Sequence, residues 1–127
     1  MHILAVDDSE VMHLLLTACL KGHKLDHAYN GQEALKFLTR PDKKYDVILL
    51  DWEMPIMDGP TTFKNILKQG YRVPVLMISA RGAREGKEEI LRMGINGYLE
   101  KPFLPKQLFK KIEEVLTPKE PALKKRA

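Results

Sequence analysis

Four short, strongly apolar runs recur along the chain with stretches of helical period between them: ILAV at 3–6, DVILL at 46–50, VPVLMIS at 73–79 and GYLE at 97–100. Runs of this length, bounded by turn or charged residues, read as strands buried on both faces. A fifth run, LDHAY at 25–29, is more polar and therefore belongs near an edge. Strand alternating with helix implies a parallel sheet, because right-handed crossovers lay the connecting helices over its two faces. The expectation is an α/β fold in which β-α repeats five times.

The helices carry their own punctuation. Ser9 can cap the first, Gly22 can end it in a left-handed turn, and Leu15 with Cys19 and Leu16 with Leu20 pair at i, i+4 on its apolar side. Asn30-Gly31 opens a second, with Ala34, Phe37 and Leu38 on one face and Pro41 as a stop. Asp58-Gly59-Pro60 leads into a third containing Phe63, Ile66 and Leu67. A fourth runs from about Ala83 to Met93, weakened by Gly82 and Gly86 at its start. Pro105 suits the first turn of a fifth, along which Leu108, Ile112, Val115 and Leu116 align.

A chain of 127 residues makes one domain with a core large enough to need no disulfide or metal staple. The single cysteine, Cys19, sits in LLLTACL and reads as a small buried hydrophobe. No apolar stretch approaches a membrane span, and MHILAVDDSE lacks the features of a signal peptide, so a cytoplasmic protein without a membrane partner is expected. The net charge is +4, of which the last eleven residues, TPKEPALKKRA, supply +3. The near-neutral body argues against direct nucleic-acid binding. Residues 1–116 are read as the domain and 117–127 as a flexible basic tail or the start of a linker.

In an open parallel sheet, ligands bind at the carboxyl ends of the strands. Onto that rim the sequence delivers Asp7 and Asp8, Asp51, Ser79 and Lys101. Two carboxylates about 4 Å apart repel by roughly 4 kcal/mol at an effective dielectric of 20, so either their pKa values rise or a cation sits among them. An all-oxygen donor set suits a hard ion such as Mg²⁺. Asp7 and Asp8 are also good capping residues for the helix that follows. The histidines at 2, 13, 23 and 27 have no metal-ligand spacing and are expected on the surface or in packing.

VDDS at 6–9, LLDWEMPIMDG at 49–59, ISA at 78–80 and YLEKPF at 98–103, in that order, resemble the receiver domain of two-component response regulators, chemotaxis regulators most of all. The resemblance covers residues 2–116. It implies a doubly wound, flavodoxin-like sheet of order 2-1-3-4-5 and a phosphoryl-accepting switch, a signalling protein whose only chemistry is its own phosphorylation and autodephosphorylation. Asp51 would accept the phosphoryl group from a phosphohistidine on a histidine kinase or histidine phosphotransfer protein. Asp7, Asp8, Asp51 and the main-chain carbonyl of Glu53 would hold Mg²⁺ or Mn²⁺. Lys101 would pair with a phosphoryl oxygen, with a cis peptide at Lys101-Pro102. Ser79 and Tyr98 would carry the conformational change to a downstream partner at the fourth helix, fifth strand and fifth helix.

Glu53 and Arg81, each two residues beyond a site residue, are expected either to pair across the entrance and slow hydrolysis or to form a solvent-screened surface pair without kinetic effect. Val11, Met12 and His13 would face the phosphodonor, and Trp52 would be a partly exposed aromatic beside the site. A haloacid-dehalogenase-type phosphatase uses similar residues, but there the nucleophile precedes the acidic pair; a flavodoxin-like carrier needs Ser, Thr and main-chain N–H groups after the first strand. The receiver is read as stand-alone, a monomer or weak dimer, the alternative being a portion of a larger response regulator with its output domain removed.

Overall fold

Each apolar run becomes a strand. In chain order the elements are β1 (His2–Val6), α1 (Glu10–Cys19), β2 (Lys24–Ala28), α2 (Gly31–Leu38), β3 (Val47–Asp51), α3 (Gly59–Lys68), β4 (Val75–Ser79), α4 (Lys87–Arg92), β5 (Gly97–Glu100) and α5 (Pro105–Leu116). The structure, a computed structural model, describes residues 1–80 and 87–117. Arg81, the expected start of the fourth helix with Gly82, Ala83 and Gly86, and residues 118–127 of the tail lie outside the described residues.

The strands form one parallel sheet in the order β2-β1-β3-β4-β5, so the polar run becomes the edge strand β2. Strand side chains alternate between faces, and that alternation sorts the core into two layers. Leu4, Val6, Ile48, Leu50, Val75 and Met77 pack with Ala34, Leu38, Phe63, Ile66 and Ile90 from α2, α3 and α4. Ile3, Ala5, Val47, Leu49, Leu76 and Ile78 pack with Leu16, Leu20, Leu108, Ile112 and Val115 from α1 and α5. All five residues of β3 are buried, as an uninterrupted aliphatic run at the centre of a covered sheet requires.

The caps form as the residue types dictate. Ser9, Asn30 and Asp58 each accept, through the side chain, the main-chain N–H three residues on. Gly22 takes a positive φ of 90° two residues beyond the C-cap Leu20, in the turn that leads into β2.

Three packing expectations are corrected. Leu15 and Leu67 lie on the outer shoulders of their helices, 40% and 38% exposed, because one face of a helix against a flat sheet has room for a narrower stripe. Cys19 is only half-buried, at the margin of the α1–α5 layer.

Candidate functional site

β1, β3, β4 and β5 all end on the same rim, and their parallel register sets what each delivers there. Val6 pairs with Leu50, Asp51 with Ile78, and Ser79 with Glu100. Asp7 therefore follows β1 beside the end of β3. Its N–H donates to Ala28 O at 3.1 Å, and its Oδ1 accepts from Ser9 N at 2.8 Å. Lys101, one residue past β5, donates from Nζ to Asp7 Oδ2 at 2.9 Å and to Asp51 Oδ1 at 3.2 Å. One carboxylate oxygen from each of Asp7, Asp8 and Asp51 lies within 4.8 Å of the others. Asp7 and Asp51 are buried and Asp8 is exposed, so the cup opens to solvent on one side.

The charges in this cup do not cancel. Burial raises Asp51 to about 6, helped by the neighbouring Asp7 charge and opposed by the Lys101 ammonium and the Trp52 main-chain N–H. Burial alone would lower Lys101, but the two carboxylates outweigh it and raise its pKa. Among the described residues, three carboxylates face one ammonium, a deficit of two positive charges. The oxygen-only donor set and that deficit both fit a hard divalent cation.

The segment from Trp52 to Gly59 leaves the end of β3 under constraint. Met57 N donates to Pro55 O at 2.7 Å around Ile56, whose φ is 74°, a tight three-residue turn that a β-branched residue enters only with strain. Gly59 N donates to Trp52 O at 2.6 Å, and a Cβ on Gly59 would run into the Asp51 carbonyl oxygen, so the return to α3 passes where only glycine fits. Trp52 is 8% exposed: it folds into the α2–α3 layer and is not the partly exposed aromatic its sequence position suggests.

Of the remaining expected residues, Ser79 ends β4 at 1% exposure, and its carbonyl accepts from Lys101 N at 2.7 Å. Tyr98 is buried on β5, with Lys87 Nζ 5.7 Å from its ring centroid. Glu53 is exposed beside Asp51. The Lys101-Pro102 peptide is cis.

His13 departs from the sequence expectation, since it is 3% exposed and cannot belong to a docking surface. Its Nε2 lies 2.7 Å from Asp7 O and its Nδ1 2.7 Å from His27 Nδ1. A signal for its burial was present: His13, Leu16 and Leu20 fall at i, i+3 and i+7, one inward stripe of α1.

A five-stranded, doubly wound parallel sheet with an acidic cup and a lysine at its carboxyl rim defines the class. The family model for the response regulator receiver domain matches residues 3–113. A chemotaxis protein CheY homolog of Campylobacter jejuni is 34% identical over 121 residues, covering 91% of this chain and 92% of the relative. The Vibrio cholerae chemotaxis protein CheY4 structure superposes with a TM-score of 0.81 at 34% identity, covering 91% of this chain and 98% of that one. The receiver domain of the Pseudomonas aeruginosa sensor histidine kinase PA1611, described with magnesium coordinated in its active-site cleft, gives a TM-score of 0.81 at 29% identity over 91% of this chain and 96% of that one. The chain belongs to the response regulator receiver family, the signalling modules of two-component and chemotaxis systems. No helix among the described residues is long and apolar enough to cross a membrane.

Proposed function

We propose that this receiver is a switch in which Asp51 accepts a phosphoryl group from a phosphohistidine donor. One observation carries the reading: a buried strand-end carboxylate, raised to about 6, lies against a lysine and two further carboxylates in an open cup. In the transfer, an Asp51 oxygen bonds to phosphorus as the phosphorus–nitrogen bond of the donor breaks, its electron pair staying on the donor imidazole. The demand on the protein is in-line positioning and neutralisation of the equatorial oxygens. Asp7, Asp8, Asp51 and the Glu53 carbonyl would hold Mg²⁺, which supplies two positive charges toward those oxygens. Lys101, already within 3.2 Å of Asp51, moves its ammonium from Asp51 to a phosphoryl oxygen. Ser79 turns its hydroxyl to the same group, and Tyr98, already buried on β5, is held inward behind it.

Exposed apolar side chains around the cup support donor docking there: Val11 in the first turn of α1, Ile56 in the loop after β3, and Leu104 before α5. A histidine kinase or histidine phosphotransfer protein would cover this rim, and a downstream partner would read α4, β5 and α5. Glu53 remains a candidate gate on hydrolysis, with Glu53→Ala expected to change the acyl-phosphate lifetime.

The test is incubation of the chain with Mg²⁺ and acetyl phosphate, followed by mass spectrometry. The expected result is one added phosphoryl group, mapped to Asp51 and lost in Asp51→Asn, with a change in Trp52 fluorescence on adding Mg²⁺ and a further one on adding the donor. A folded chain that takes up no phosphoryl group overturns the reading.

A further inference from the structure

A pair of histidines lies directly behind the acidic cup. His13 projects inward from α1, and its Nε2 reaches the carbonyl oxygen of Asp7 at 2.7 Å. Its ring is held between Tyr29, tilted at a centroid distance of 4.3 Å, and His27, edge-on at 4.7 Å. A carbonyl only accepts, so His13 Nε2 carries a proton, and in the neutral ring Nδ1 is then the acceptor. The 2.7 Å contact between the two Nδ1 atoms then needs its proton on His27. Burial pushes the His27 pKa down against the pull of Asp26 and Glu10, which agrees with a neutral ring there.

The carbonyl that His13 holds belongs to the peptide joining Asp7 to Asp8. Every other polar group of Asp7 is engaged: its N–H by Ala28 O, Oδ1 by Ser9 N, and Oδ2 by Lys101. Asp8 is exposed, and the peptide that precedes it sets the direction from which its side chain leaves the backbone. We infer that His13, oriented by His27, is a positioning residue for the Asp7–Asp8 corner, fixing the peptide plane that directs the Asp8 carboxylate into the cup and so setting the affinity for a divalent cation. The inference rests on the proposed function of the cup. It differs from a plain packing role in acting on cation affinity through one hydrogen bond.

The first measurement is ¹⁵N NMR of the imidazoles in the full chain without metal. His13 is expected as the Nε2–H tautomer and His27 as the Nδ1–H tautomer; an Nδ1–H tautomer at His13 overturns the inference. The second is Mg²⁺ titration followed by Trp52 fluorescence. His13→Leu should weaken binding by about tenfold, the lower end of what loss of an outer hydrogen bond to a metal site costs. His13→Gln, which can return an N–H near the same point, should recover most of that loss. His27→Phe, at a half-buried position, should weaken binding by about threefold and serves where His13→Leu does not fold. Wild-type affinity in His13→Leu or, should that variant not fold, in His27→Phe removes the inference alone. Absence of any Mg²⁺ binding by the wild-type chain removes the functional reading with it.

Discussion

Two aspartates of the same sheet, Asp26 on the edge strand and Asp51 at the end of the central one, meet opposite electrostatic fates. Asp26 Oδ2 accepts from Tyr45 Oη at 2.6 Å, lies 3.0 Å from His2 Nε2 and is 3.3 Å from Lys43 Nζ. Burial would raise its pKa, but the bonds from Tyr45, His2 and Lys43 outweigh that and hold it below the usual 3.8. Asp51 is more deeply buried, shares one lysine with Asp7, and is pushed up to about 6. A carboxylate supplied with donors is a structural clamp. One left short of positive charge is stabilised by whatever cation or phosphoryl-binding group arrives, and a binding site needs that deficit.

The comparison breaks most readily at Asp26. Asp26→Ala should cost about 3 kcal/mol at neutral pH, chiefly because it strands the hydroxyl of the buried Tyr45. Because the folded pKa is depressed, this contribution is present above 3.8 and lost as pH falls through the folded value; urea titrations of both proteins across that range test it. Equal stability of variant and wild type at pH 7 would falsify the clamp.

Asp51→Asn should act in the other direction. A raised folded pKa means the charged form is penalised, so without metal the penalty is absent below 3.8 and complete above about 6. At pH 7.5 the variant should be more stable than wild type by about 2 kcal/mol, the roughly 3 kcal/mol that the shift corresponds to being reduced by solvent at the open side of the cup, with the gain vanishing toward pH 4. Added Mg²⁺ should close the gap by stabilising only the wild type. A variant that is less stable at pH 7.5 in EDTA contradicts the charge deficit.

Ile56→Asn sharpens the contrast between a regular edge strand and a strained loop. Asparagine tolerates positive φ better, and relief of the 74° turn should add about 1 kcal/mol regardless of pH. Thermal denaturation at two pH values checks both the sign and the flatness. The smallest effect is expected at Lys43, the outermost member of the clamp: Lys43→Met should cost about 0.5 kcal/mol at low salt and less in 1 M NaCl. A loss that survives high salt points instead to packing of the lysine stem.

Much of the architecture was legible because strand and helix periods are local properties. Five strands, the edge position of the polar run, and the Ser9, Asn30 and Asp58 caps each follow from a few adjacent residues. The rim residues were legible for a related reason: in a parallel sheet, the residue after each strand must arrive at the same end. What failed depended on neighbours distant in sequence. Leu15 and Leu67 look like core positions until the sheet limits how much of each helix is covered. Trp52 looks half-exposed until α2 and α3 close over it.

The amino-acid order alone determined which side chains stand at the carboxyl rim, since strand length, turn chemistry and crossover handedness are set within segments. Only the tertiary structure decided their electrical state. Whether a carboxylate is saturated like Asp26 or left short like Asp51 depends on donors 19 and 50 residues away, Tyr45 and Lys101 respectively. The same holds for His13, an ordinary helix residue until Asp7 and His27 supply its two bonds. Coulomb and hydrogen-bond energies fall steeply with distance in space, and neighbours in space are what folding, not sequence adjacency, selects.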